Sequence, residues 1–313
     1  MDESDDSKRG KLKIFLGFLF FIFVLFTLVL YWFVPFSINE FKIKSSENGN
    51  FSLGLPSLEG MQFYPNMRYP DSKISYKIEN CPLQKKESME QAFEIISNLT
   101  ILEFYSKSSE EEIFVTCENK NKIEERFFIA GEGGPVNVTS TKNFNVILSG
   151  KILLIKETMC PKPNVGMHEL LHSLGFDHSQ NPENIMYNIS SCRQSIGDDI
   201  INLINSLYST PSLPDLDFEN VSAVMNGKYL DANISIRNNG LKGSENFSLD
   251  IYADEKFIEE INFDYMEIGY GSMVSLSNLW IPKINVENLK FVINYDFNEL
   301  DKNNNKIILE LKK

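Results

Sequence analysis

Apolar and polar residues change rhythm several times along the chain, and each change marks an element. From Ile14 to Val34 no charged residue interrupts, and only Gly17 and Thr27 soften the apolar run. As a helix rising about 1.5 Å per residue, that run reaches about 30 Å, enough to cross a bilayer core. Residues Ser37 to Asn66 are polar and without period, as in a juxtamembrane stalk. The alternation in Lys73–Glu79 predicts a half-buried strand, and Met89, Ala92, Phe93, Ile96 and Leu99 recur at helical spacing. Leu102–Tyr105 and Ile113–Cys117 predict two more strands, and Ile196, Ile200, Leu203, Ile204 and Leu207 line a helix beginning near Asp198. Pro211 and Pro214 bracket a linker. Beyond it, Leu230–Ile236, Phe247–Ala253, Leu289–Tyr295 and Ile307–Leu311 alternate with no helical period, the pattern of an all-β sandwich.

The chain of 313 residues has room for about two domains. The expected order is a cytoplasmic tail (1–13), a transmembrane helix (14–34), a stalk (35–69), a first globular domain (70–210) and the sandwich (214–313). Lys8, Arg9, Lys11 and Lys13 precede the apolar run, whereas only Lys42 and Lys44 follow soon after it. This asymmetry puts the N-terminus in the cytoplasm and everything beyond Pro35 outside, with Tyr31 and Trp32 at headgroup level. A cleaved signal peptide would have a shorter apolar core and a small-residue cleavage site, which Trp32-Phe33-Val34-Pro35-Phe36 does not offer. A net charge of −13 argues against a nucleic-acid partner, because no basic face can displace counterions from phosphates. The four cysteines, Cys81, Cys117, Cys160 and Cys192, suggest two disulfides in an exported domain. Sequons at Asn50, Asn98, Asn137, Asn188, Asn220, Asn233 and Asn246 permit glycosylation there.

The candidate chemistry lies in one segment. His168-Glu-Leu-Leu-His172-Ser-Leu-Gly175-Phe-Asp-His178 holds all 3 histidines of the chain. Positions i and i+4 share a helix face, so His168 and His172 can point at one metal ion with Glu169 beside them. A glycine at 175 can take the positive φ that ends the helix and turns His178 back as a third ligand. Three nitrogen ligands leave one zinc position open, which is the catalytic arrangement.

This segment resembles the metzincin pattern HExxHxxGxxH. Asn184-Ile185-Met186-Tyr187 is similar to the Met-turn of that clan, with Met186 expected to pack beneath the ligands. Ser179 directly after His178, and the spacing to Met186, resemble the matrixin branch, although Asn188 stands where matrixins usually have proline. The resemblance implies an α+β domain with a mixed, mostly parallel five-stranded sheet and three helices. It makes Gly131–Thr139 the antiparallel edge strand and Val146–Ile155 its inner neighbour, so that an extended substrate could add to the edge; read alone, the first segment is equally a glycine-rich loop. The implied strand order also brings Cys81 beside Cys117, and the Met-turn passing under the metal brings Cys160 beside Cys192.

In the C-terminal region, the Asn238-Asn-Gly240 turn and the Asn298–Asn305 segment resemble the immunoglobulin-like CARDB type of microbial cell surfaces. The acidic and amide residues there could hold calcium, but they do not follow an EF-hand pattern, and an ordinary polar turn is the simpler account. The whole reads as a membrane-anchored zinc endopeptidase acting outside the cell on peptide or protein substrates, with Glu169 as general base. The alternative is a surface adhesion or binding protein in which zinc is structural and the sandwich carries the function.

Overall fold

The computed structural model describes residues 3–33, 38–46, 60–119, 123–124, 127–156, 160–283 and 285–312. Helix α1 (Glu3–Phe33) contains the stretch Lys13–Leu30, long and apolar enough to cross a membrane and not buried against the rest of the protein. After it comes strand β1 (Ile38–Ser46).

The first globular region begins with β2 (Met67–Arg68), β3 (Lys73–Glu79), α2 (Leu83–Leu99), β4 (Glu103–Ser106) and β5 (Ile113–Cys117). A small pair, β6 (Ile123–Glu124) and β7 (Phe127–Phe128), precedes the long strands β8 (Gly131–Ser140) and β9 (Asn145–Leu154). Helices α3 (Asn164–Ser173) and α4 (Asp198–Tyr208) complete it. The sheet runs β4-β3-β5-β9-β8, parallel except for β8, and β2 pairs in parallel with the start of β9. This is the mixed, mostly parallel sheet with three helices that the family resemblance implied. Ile74, Ile113, Val115 and Ile152 are buried in it, each worth roughly 1.5–3 kcal/mol. Helix α2 packs through Met89, Ala92, Phe93 and Ile96, and the Phe93 ring stacks on Tyr76 at 4.1 Å. Parallel pairing sets the C-terminal ends of β3 and β5 side by side, and Cys81 is bonded to Cys117 there. Cys160 is bonded to Cys192.

The C-terminal region consists of β10 (Leu216–Asn226), β11 (Tyr229–Asn238), β12 (Phe247–Ala253), β13 (Lys256–Phe263), β14 (Gly271–Trp280), β15 (Asn288–Tyr295) and β16 (Lys306–Leu311), all antiparallel. Strand alternation sends Leu230, Ala232, Ile234 and Ile236 of β11, Leu249 and Ile251 of β12, and Leu289 and Phe291 of β15 into one core. The strands follow the orders β13-β12-β15-β16 and β10-β11-β14, and β1 lies between them. Ile38–Glu40 pair with Asn226–Val224 of β10, whereas Phe41–Ser46 pair with Leu311–Ile307 of β16.

Part of the expected stalk is therefore corrected. Ile38–Ser46 is a strand of the sandwich, stabilised by hydrogen bonds to two neighbours and by Phe41 packing on the core. Residues 61–68 belong to the first globular region, where Gln62 bridges Phe176 and Met67–Arg68 extend the sheet. Residues 47–59, with the Asn50 sequon, and residues 34–37, with Val34 and Pro35 of the expected membrane boundary, lie outside the described residues.

The two regions meet at the β8–β9 turn. Phe144, Val146 and Leu241 form a small buried cluster, Lys142 pairs with Asp217 at 2.9 Å, and Arg237 donates to Ser140 O at 3.2 Å. Nearby, Asn304 Nδ2 donates to Asp215 Oδ1 at 2.9 Å and Asn305 Nδ2 to Glu299 Oε2 at 2.6 Å, closing this end of the sandwich.

The strand exchange can be tested by truncation. A polypeptide beginning at residue 38 should retain a sandwich more stable, by several kcal/mol, than one beginning at residue 60, because loss of β1 strips hydrogen bonds and apolar cover from β10 and β16. Equal denaturation midpoints for the two sandwiches would refute the pairing.

Candidate active site

Helix α3 ends in a Schellman turn. Phe176 N donates to Leu171 O at 3.0 Å and Gly175 N to His172 O at 2.9 Å, with Gly175 at φ 94°. A Cβ at Gly175 would also lie 2.7 Å from Met67 Cβ, so both backbone conformation and space require glycine. The turn brings Phe176 O back to accept a 2.8 Å hydrogen bond from His172 Nδ1. The chain then runs on to His178.

Opposite the helix, the segment Asn184–Tyr187 is held by its own polar groups. Met186 N donates to Asn184 Oδ1 at 2.9 Å, and Ser179 N donates to Met186 O at 2.8 Å. Ile185 O accepts from His168 Nδ1 at 2.7 Å. Met186 itself is buried in the core with Met167, Leu170 and Leu171. Asn164, at the start of α3, donates to Ser191 O at 2.7 Å, beside the Cys160–Cys192 bridge.

With both Nδ1 atoms committed to carbonyls, the Nε2 atoms face one another. His172 Nε2 lies 3.0 Å from His168 Nε2 and 3.2 Å from His178 Nε2. These three residues are the one group among the described residues whose histidine, cysteine or carboxylate donor atoms converge closely enough to hold a metal ion. Three nitrogen donors, two of them oriented by hydrogen bonds from the second ring nitrogen, fit a zinc ion with an open position. Burial pushes the His168 imidazole below its ordinary range and His172 down to about 4, so both are neutral donors near pH 7.

Glu169 is buried beside them, under the edge strand. A Cβ at Gly131 would lie 2.7 Å from Glu169 Cγ, and one at Gly133 would lie 2.3 Å from Glu169 O. The glycines of β8 thus let the strand pass directly over this residue. Burial, reinforced by the charge of Glu132, pushes the Glu169 carboxyl up to about 8. Strand β8 pairs with β9 alone, which leaves its outer edge without a strand partner among the described residues.

One part of the site escaped the sequence reading. Phe63 stacks on the His172 ring, with centroids 5.7 Å apart and planes at 21°. Its N–H donates to Gly175 O at 3.0 Å, and Asp177 N donates to Met61 O at 3.0 Å, so residues 61–63 wall the turn that carries His178. The only hint was an aromatic pair, Phe63-Tyr64, in a polar stretch.

Gly131→Ala should displace the Glu169 side chain while leaving the histidines in place. The expected result is a fall in peptidase turnover of tenfold or so, about 1.4 kcal/mol, with metal content unchanged; unaltered turnover would show that the close approach is unimportant.

Comparison with known families agrees with this geometry. Residues 68–209 match the family model for Matrixin, and residues 213–308 match the model for CARDB. A search of curated proteins finds no match. The region that holds the histidine cluster is thus similar to the matrixin metallopeptidases, and the antiparallel region after it is similar to CARDB domains.

Proposed function

We propose that the protein is a zinc-dependent endopeptidase, anchored in the cell membrane by α1 with its catalytic domain outside. The observation that carries this reading is the convergence of three imidazole Nε2 atoms beside a buried carboxylate, next to an open strand edge. His168, His172 and His178 would hold the zinc. When bound, zinc supplies Lewis acidity toward water and toward the scissile carbonyl. An extended peptide adds to the outer edge of β8 through backbone hydrogen bonds, which tolerates varied side chains. Glu169 takes the proton of the attacking water and delivers it to the departing amine nitrogen. Its raised pKa makes it a strong enough base for the first step and a competent acid for the second. Met186 supports the ligands from below by packing. The lysine and arginine bias before the apolar run Ile14–Val34 and the two disulfides support an outward-facing domain.

The CARDB match supports a second reading, a surface binding protein whose zinc is structural. The same experiment separates the two. Glu169→Gln should keep one zinc per ectodomain and lose cleavage of a peptide blocked at both ends by a factor of 100 or more, about 3 kcal/mol, whereas His172→Ala should lose the metal. Cleavage by Glu169→Gln at the wild-type rate would sink the general-base assignment.

The pH dependence provides an independent check. A general base works only when ionised, so activity should rise with pH as Glu169 loses its proton. Glu132→Gln removes a charge that raises the Glu169 pKa, and the acidic limb of kcat/KM should therefore move to lower pH. A limb that stays in place would mean that another group controls it.

A further inference from the structure

Chain order would place the peptidase domain next to the membrane helix, but strand pairing reverses that arrangement. Strand β1 belongs to the sandwich, and only residues 34–37 separate it from α1. That connection spans at most about 18 Å. The end of the sandwich at which β1 begins must therefore stand at the surface from which α1 emerges. Ile38 pairs with Asn226 and Tyr229 pairs with Trp280, so the β10–β11 turn and the end of β14 share that end.

The chemistry of this end suits a lipid headgroup layer. Ile38 is 74% exposed and Trp280 54% exposed, an aliphatic and an indole side chain that present most of their surface outward. Lys283 and Lys312 stand there paired with Asp254 at 2.6 Å and Glu40 at 2.9 Å. The paired charges let this end approach an anionic surface without the repulsion expected from a chain of net charge −13.

The peptidase domain docks at the other end. Strand β10 starts there at Leu216, and Lys142–Asp217, Arg237–Ser140 O and the Phe144, Val146, Leu241 cluster form the junction. The 11 residues of β10 cover about 35 Å.

We infer that the CARDB-like sandwich is seated on the bilayer through its Ile38 and Trp280 end and holds the peptidase cleft about 35 Å or more above the lipid. This rests on the proposal that α1 is a retained anchor. Its consequence for the substrate is one of reach. Peptide segments standing well clear of the bilayer are accessible to the cleft, whereas juxtamembrane segments of neighbouring proteins lie beside the sandwich and below the active site.

The experiment uses the full chain in nanodiscs whose lipids carry nitroxide-labelled headgroups. The chain has 2 tryptophans, so Trp32→Phe makes Trp280 the sole reporter. A second variant, Trp32→Phe with Trp280→Phe and Tyr270→Trp, moves the reporter to the far end, where Tyr270 is 62% exposed and its carbonyl accepts from Asn238 N. Both moved positions are exposed, so the fold is retained. The expected result is loss of most Trp280 emission and little loss from the far-end reporter. Equal quenching, or quenching of the far-end reporter alone, would overturn the seating while leaving the anchor intact. A chain that does not insert into nanodiscs would overturn the anchor itself and the seating with it.

Discussion

His172 Nε2 is held 3.0 Å from His168 Nε2 and 3.2 Å from His178 Nε2, a crowding of nitrogen lone pairs that is repulsive until a cation lies among them. The surrounding fold has to impose it. The i and i+4 positions on α3 bring two rings together, the Schellman turn at Gly175 returns the third, and the carbonyls of Phe176 and Ile185 fix the ring orientations through Nδ1. Each of these devices uses backbone atoms of a neighbouring segment. The helix end, the Met186 segment and residues 61–63 are therefore one unit, and loosening any of them loosens the convergence.

The rim of the candidate site is held from outside the first globular region as well. Strand β8 ends in the turn at residues 141–144, and that turn is clamped to the sandwich by Lys142 and Arg237 and by the apolar contact of Phe144 with Leu241. Close by, the buried Arg68 stacks on Tyr208 at 4.4 Å and donates to Leu207 O and Thr210 O, capping the C-terminus of α4 where the linker departs. The sandwich is thus a structural support for the edge to which a substrate would add. Its position is fixed by packing and not by the linker alone.

What the sequence disclosed was local. Ligand spacing, the turn glycine and the alternation of Lys73–Glu79 or Phe247–Ala253 arise from contacts a few residues apart, and each lies where its pattern indicated. The parallel strands and the edge strand β8 needed the family resemblance, because Gly131–Thr139 has no apolar alternation and reads equally well as a loop. Strand β1 was hidden for a different reason. Its apolar positions, Ile38, Phe41 and Ile43, are few, and its partners in β10 and β16 are far along the chain. Strand β14 escaped because its inward positions are only half-buried and include Ser272, while Met273 and Trp280 face outward, so the exposed and half-buried alternation is not matched by an apolar and polar one. Phe63 escaped because its role depends on stacking against a ring in a distant helix.

The placement of β1 also sets the order in which the molecule can be completed during synthesis. The first globular region lies between two parts of the sandwich, and β1 pairs with β16, about 265 residues further along the chain. The first globular region has all its strands once Tyr208 has emerged, while the sandwich still waits for its last partner. Closure of the sandwich is a long-range event that joins residues 41–46 to residues 307–311, and such contacts form late. A polypeptide lacking β16 would carry the folded first region on an open sheet with the β1 and β15 edges exposed, each a template for pairing with another chain.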